Sequence, residues 1–142
     1  MTRLPYTLLL VILLLQSTST SWAQAPDAVQ HIANLGSKGA PADTNDIFLV
    51  YMPPGSDINE GADQLVRIFR GNDCRASTFL VGSEDTGLIA KVILKALTQL
   101  EERELDDCPV IVVGARADKW RIKRAFKGVG AKVYYARYRA PS

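Results

Sequence analysis

The sequence predicts an α/β domain in which a small, mainly parallel sheet lies between two layers of helices. Short apolar runs closed by turn-forming residues recur along the chain, and the first of them, residues 47–52, is ended by Pro53-Pro54-Gly55. Such a run is typical of a strand buried on both faces. Segments with helical periodicity separate the runs. The resulting order, βαβαβαβ, indicates a three-layer sandwich with right-handed crossovers.

Four strands are predicted, and they differ in polarity. The first three are almost wholly apolar, which is typical of strands buried within a parallel sheet. The fourth carries charges and tyrosines, so we expect it at a sheet edge. The predicted strands span residues 47–52, 76–81, 110–113 and 132–139.

Three amphipathic helices connect these strands. The first is capped by Ser56 or Asp57 and ends at Gly71-Asn72, and its apolar residues recur at helical spacing from Ile58 to Phe69. The second follows Asp85 or Ser83 and has the longest apolar face, from Leu88 to Leu100. The third begins near Asp118, where an N-cap or first-turn acid belongs, and runs to about Lys127.

The two cysteines restrict the order of the strands. Cys74 and Cys108 each precede a predicted strand by two residues, so both lie at the same end of the sheet. A disulfide requires Cα atoms within about 7 Å, which neighbouring strands satisfy more easily than strands separated by another. Because an even pair of cysteines in an exported protein is typical of a disulfide, the pair is expected to be a structural disulfide. It favours a Rossmann-like order, 3-2-1-4, over a flavodoxin-like order, which stays the alternative.

The N-terminal segment has the features of a secretory signal peptide. Arg3 provides a positive charge, residues 8–15 form an unbroken apolar run, and small residues surround Ala23 and Ala25. We expect a signal peptide over residues 1–23 with cleavage after Ala23, or else after Ala25, and a periplasmic or secreted mature protein. An uncleaved membrane anchor is the alternative.

Residues 24–45 are predicted to lie outside the main domain, which spans residues 46–142. Asp27 to Leu35 can form a short helix that Gly36 would stop, and residues 36–43 have the composition of a flexible linker. His31, the only histidine, is assigned no role.

No recognisable catalytic motif is present, and no cofactor is expected. The loop after the first strand is neither a dinucleotide-binding nor a phosphate-binding loop, and its prolines lack the N–H donors that hold phosphate. Two cysteines and one histidine do not make a convincing metal site. Asp57, Asp85 and Asp118 follow strand ends and could serve a small hydrolase or a ligand-binding domain, but each is also explained as a helix cap.

Charge is distributed unevenly along the chain. From Asp43 to Asp107 there are 13 acids and 6 bases, a net of −7, whereas from Pro109 to Ser142 there are nine bases and one acid, a net of +8. Such asymmetry indicates a charged partner. The acidic run of residues 101–107 is interpreted as a solvated charge run. The alternative is contact with a basic surface, either the third helix of the same chain or that of another copy, which would give a head-to-tail homo-oligomer.

The third helix carries the most specific surface feature. If Ile122, Ala125, Phe126 and Val129 form its buried face, Trp120 points nearly opposite to it. The candidate binding residues are Trp120, Lys123, Arg124 and Lys127. An aromatic ring among cations can stack on a partner while the cations hold an anion. A Trp folded over a loop beside an ordinary solvated basic face is the alternative.

These observations favour an exported, non-enzymatic binding or assembly module of the bacterial envelope. A protein partner is expected first, because the net charge of +2 is small and the acidic part of the chain would repel polyanions. An anionic polymer or a nucleic acid is the alternative partner. The small hydrolase or ligand-binding domain is the alternative function.

Overall fold

The computed structural model describes residues 8–12, 26–44, 46–74 and 76–141, and it shows an α/β fold with parallel strands. The strands are β1 (Leu8–Ile12), β2 (Ile47–Tyr51), β3 (Thr78–Gly82), β4 (Pro109–Gly114) and β5 (Lys132–Arg137). The helices are α1 (Pro26–Lys38), α2 (Ile58–Gly71), α3 (Thr86–Thr98) and α4 (Lys119–Gly128), with a 3₁₀ turn at Arg116–Asp118. The predicted α/β fold is confirmed, and β5 lies at the edge of the sheet as expected.

The strands follow one another in sequence order, β1-β2-β3-β4-β5, and every neighbouring pair is parallel. Both predicted strand orders, Rossmann-like and flavodoxin-like, are therefore wrong. The cysteine positions correctly predicted that β3 and β4 are neighbours, and the disulfide Cys74–Cys108 joins Cα atoms 5.2 Å apart. Those positions could not place the last strand, which lies beside β4 and not beside β2.

The order is explained by which helix covers each face of the sheet. One face packs against α2, α3 and α4 through strand residues such as Phe79, Val81 and Val110. The other face packs against α1 through residues such as Leu80 and Ile111. Because α1 covers the second face, the three crossover helices can share the first, and the strands then progress in one direction across the sheet.

Helix α1 is longer than predicted because Gly36 lies inside it. The sequence predicted a stop at this glycine, but the helix continues to Lys38. A Cβ atom at position 36 would lie 2.7 Å from Cγ of Leu80, a fully buried residue of β3. The glycine therefore permits close approach of α1 to the sheet and does not end the helix.

Strand β1 adds a parallel neighbour to β2 through backbone pairing of Leu8 to Ile12 with Ile47 to Tyr51. This strand lies within the segment that the sequence predicts as a signal peptide. Helix α1 covers the opposite face of the sheet from the three helices that follow it in the chain.

Candidate binding site

Helix α4 holds the four predicted binding residues outside the core. Ile122 and Phe126 are fully buried and fix the orientation of the helix on the sheet. At 100° per residue this places Trp120 on the outer side, and its side chain is 74% exposed. It is the only large hydrophobic residue that is exposed in the described part of the chain. The predicted exposure of Trp120 is therefore confirmed.

The four side chains line a single groove, together with two residues of the neighbouring chain segment. The groove has a volume of about 460 Å³, and its lining consists of Trp120, Lys123, Arg124, Lys127, Ala131 and Val133. Ala131 and Val133 are partly buried against the core beneath α4, so they form an apolar floor. We call this site the α4 groove.

The floor of the α4 groove was missed by sequence reasoning. The sequence predicts Val133 only as part of an edge strand and does not indicate which helix packs against it. The available signal was the period-two alternation of β5, since Val133 and Tyr135 share the face on which α4 packs. Because the order of strands was predicted incorrectly, that face could not be assigned to α4.

The α4 groove is strongly cationic. Among the described residues, no carboxylate lines it, and Lys123, Arg124 and Lys127 form no ion pair. The neighbouring Arg121 differs, because its guanidinium lies 2.9 Å from the Asp118 carboxylate. Three unpaired cations around an apolar floor can hold an anionic group beside a hydrophobic one.

The acidic run at residues 101–107 is not paired with these cations. Glu104 forms an ion pair with Arg70 of α2 at 2.6 Å, and the hydrogen bond from Arg70 lowers the pKa of the Glu104 carboxyl. The backbone N–H groups of Leu105 and Asp107 donate to the carbonyls of Val129 and Gly130. The run thus contacts the turn after α4 through the backbone, and it leaves the groove open.

The carboxylates proposed for an alternative catalytic site are each held by a local partner. Asp57 accepts a hydrogen bond from the N–H of Glu60 at 2.9 Å, and Asp85 accepts one from the N–H of Leu88 at 3.0 Å. Both therefore cap helices, as the sequence also suggested. Asp118 makes no side-chain cap and pairs with Arg121 instead.

Two tyrosines near the carboxyl ends of the strands form short hydrogen bonds that the sequence did not indicate. The Tyr51 hydroxyl donates to Glu84 at 2.5 Å, and burial, followed by this hydrogen bond, raises the pKa of Tyr51. The Tyr135 hydroxyl donates to the carbonyl of Ala115 at 2.5 Å, and burial raises the pKa of Tyr135 to about 12. Both hydroxyls remain protonated and act as donors at neutral pH.

A second cavity, of about 300 Å³, lies at the amino ends of the strands beside the disulfide. Asp43, Asp46 and Asp107 line it together with Lys132. The hydroxyl of Thr44 is buried there, and it has no hydrogen-bond partner among the described residues. Because carboxylates and a lysine line this cavity together, it indicates a class of ligand less clearly than the cationic α4 groove does.

Comparisons with protein-family models, with curated proteins and with solved structures found no match. Across the described residues, no cluster of three or more histidine, cysteine, aspartate or glutamate side chains could hold a metal ion. No helix among those residues is both long and apolar enough to cross a membrane. Among the described features, the α4 groove is therefore the one that bears most directly on function.

Proposed function

We propose that this protein is a non-enzymatic binding or assembly module that holds an anionic partner in the α4 groove. The observation that carries the proposal is the convergence of Trp120, Lys123, Arg124 and Lys127 around one apolar floor. An exposed Trp is costly to leave in water, and Trp and Arg are the residues that most often dominate binding energy at interfaces. Their presence together favours a recognition surface.

A protein partner fits the groove better than a uniform polyanion does. The floor formed by Ala131 and Val133 is apolar, so it favours a partner that offers apolar side chains between its carboxylates. The acidic loop that follows α3 contacts the turn after α4 and would repel a long polyanion that extended in that direction. We infer an acidic protein segment with interspersed apolar residues.

The proposed location is the bacterial envelope. The disulfide Cys74–Cys108 is typical of proteins that fold in an oxidising compartment. The apolar run near the N-terminus and the small residues near Ala23 support export by a cleaved signal peptide. Envelope proteins are therefore the first class in which to seek the partner.

The test uses a defined probe and a matched control. Trp120 is the only tryptophan both in full-length protein carrying Trp22→Phe and in a chain cleaved after Ala23, so its fluorescence reports binding of a peptide that repeats Glu-Ser-Val-Ser. We expect binding that weakens as salt is raised from about 50 mM to about 500 mM, because the Debye length shortens. Replacing Trp120, Lys123, Arg124 and Lys127 with Ala, and monitoring that variant by calorimetry, should abolish binding.

The control removes three cations elsewhere. Arg67, Lys91 and Lys95 are exposed on α2 and α3, and their joint replacement with Ala lowers the net charge by the same amount. We expect this variant to bind normally, which would separate the groove from overall charge. Equal weakening by both variants would contradict the proposal. Tighter binding of a sulfated polysaccharide or a single-stranded oligonucleotide than of the peptide would change the partner class.

A further inference from the structure

No described strand pairs with the outer edge of β5, and two hydrogen bonds identify the backbone groups on that edge. The N–H of Lys132 donates to the carbonyl of Cys108, and the N–H of Tyr138 donates to the carbonyl of Gly114, both at 2.8 Å. Backbone groups of successive strand residues point to opposite sides. Even-numbered residues therefore face β4, whereas Val133, Tyr135 and Arg137 direct their N–H and C=O groups away from the sheet.

No other described strand pairs with this outer side, because β5 ends the sheet. This edge also adjoins the α4 groove. Val133 belongs to both, since its side chain forms part of the groove floor and its backbone points outward. A strand added to this edge would place every second side chain over the groove.

We propose that the partner is bound as an added β-strand on β5, and that its alternate side chains occupy the α4 groove. This inference rests on the proposed function and specifies the conformation and chemistry of the partner. The partner segment is extended, with acidic side chains among apolar ones. Main-chain hydrogen bonds to Val133, Tyr135 and Arg137 would provide affinity, and the groove would provide specificity.

The charges on β5 disfavour pairing of this edge with the β5 edge of a second copy of the chain. Lys132 and Arg137 stand exposed at the two ends of β5. Pairing two such edges would bring like charges together, which is a known protection against self-association. An acidic strand would instead find complementary charges at both ends.

The chain's own acidic run is also unsuitable. Arg103 and Asp107 have φ values of 63° and 61°, which belong to turns and not to strands. Glu104 is already paired with Arg70. A second copy therefore cannot supply this run as an extended strand without rebuilding it, and the head-to-tail oligomer is not favoured. The occupant we infer is an acidic segment of another protein.

The direct test measures amide hydrogen exchange by NMR in full-length protein, with and without a twelve-residue peptide that repeats Glu-Ser-Val-Ser, which places Glu and Val on the same face of a strand. We expect exchange at the amides of Val133, Tyr135 and Arg137 to slow by at least about tenfold when the peptide is bound. The amides of Lys132, Tyr134 and Ala136 face β4 and serve as the internal control. Binding that changes Trp120 fluorescence without slowing the outward amides would overturn the strand mode and leave the proposed function intact.

Two substitutions at one position separate the backbone from the side chain. Val133→Pro removes an outward N–H, which an edge strand tolerates, whereas Val133→Ala keeps it and only shortens the groove floor. We expect Val133→Pro to weaken peptide binding by at least about tenfold and Val133→Ala to weaken it less. Retained exchange protection at the amides that face β4 verifies that the Pro variant is folded. Equal binding of the two variants would contradict the proposal.

A second experiment leaves the protein unchanged and modifies the backbone of the peptide. One peptide carries N-methyl groups on its odd-numbered amides and the other on its even-numbered amides. Because alternate amides point to opposite edges of a strand, only one of the two peptides loses the N–H donors directed at β5. We expect one peptide to bind and the other to fail. Equal binding by both would overturn the strand mode, and failure of the unmethylated peptide to bind at all would count against the proposed function itself.

Discussion

Helices α2 and α3 cover one part of the sheet, and α4 with β5 forms its edge. Both regions pack helices on strands through apolar side chains, but the polar groups on their surfaces differ. In the first, the helices are capped by Asp57 and Asp85, and Arg70 is paired with Glu104. At the edge, Trp120 is exposed and three cations have no ion pair among the described residues. Satisfied groups stabilise a fold, whereas unsatisfied ones are available to a partner. Substitutions in the two regions should therefore separate stability from binding.

The largest expected effect on stability comes from the disulfide. Replacing Cys74 and Cys108 with Ala releases a loop that spans a sequence separation of 34. The chain-entropy model gives a loss of about 3–4 kcal/mol in the free energy of unfolding. Urea denaturation of the oxidised protein, the reduced protein and the double variant measures it. Peptide binding at urea concentrations below the unfolding transition should not change. A loss of less than about 1 kcal/mol in the free energy of unfolding would contradict the expected stabilisation by the disulfide.

A smaller effect is expected where α1 meets the sheet. Gly36→Ala would place a Cβ atom against the buried side chain of Leu80. Overpacking costs about 1–3 kcal/mol, which exceeds the gain of about 1 kcal/mol in helix propensity. We expect a net loss of up to about 2 kcal/mol, measured by urea denaturation. Gly71→Ala in α2 is the control, since its added Cβ would meet no other described part of the chain within 4 Å. A lower stability of that variant would contradict the packing explanation for Gly36.

The smallest expected effect is at the edge itself. Tyr135→Phe removes the hydrogen bond to Ala115 and should lower the free energy of unfolding by about 0.5–1.5 kcal/mol at neutral pH. The folded pKa of Tyr135 is raised from 10.0 to about 12, so the folded state holds this proton more tightly. The stability it contributes is present below pH 10 and lost as the pH rises towards about 12.

Urea denaturation between pH 8 and pH 11.5 tests the sign of this dependence. The Tyr135→Phe variant should lose less stability than the wild-type protein over this range. Some slope should remain, because the pKa of Tyr51 is raised as well. An identical pH dependence in the two proteins would show that Tyr135 does not contribute.

Much of the local structure was predictable, because it is encoded in short windows. The periodicity of α2 and α3, their caps at Asp57 and Asp85, and the polarity of β5 all depend on residues a few positions apart. The exposure of Trp120 follows equally from the spacing of Ile122 and Phe126 within one helix. The failure at Gly36 has the opposite cause, since the reason for that glycine, Leu80, lies 44 positions away in the sequence.

The sequence by itself determined the α/β class, the disulfide partners and the cationic Trp-bearing face of α4. Only the tertiary structure decided the strand order, the use of α1 as the second helical layer and the joining of Val133 to the α4 groove. Periodicity states which side of an element is apolar, but not which element will cover it. That choice depends on the relative free energies of packing whole layers together, and it determined here which strand edge lies beside the groove.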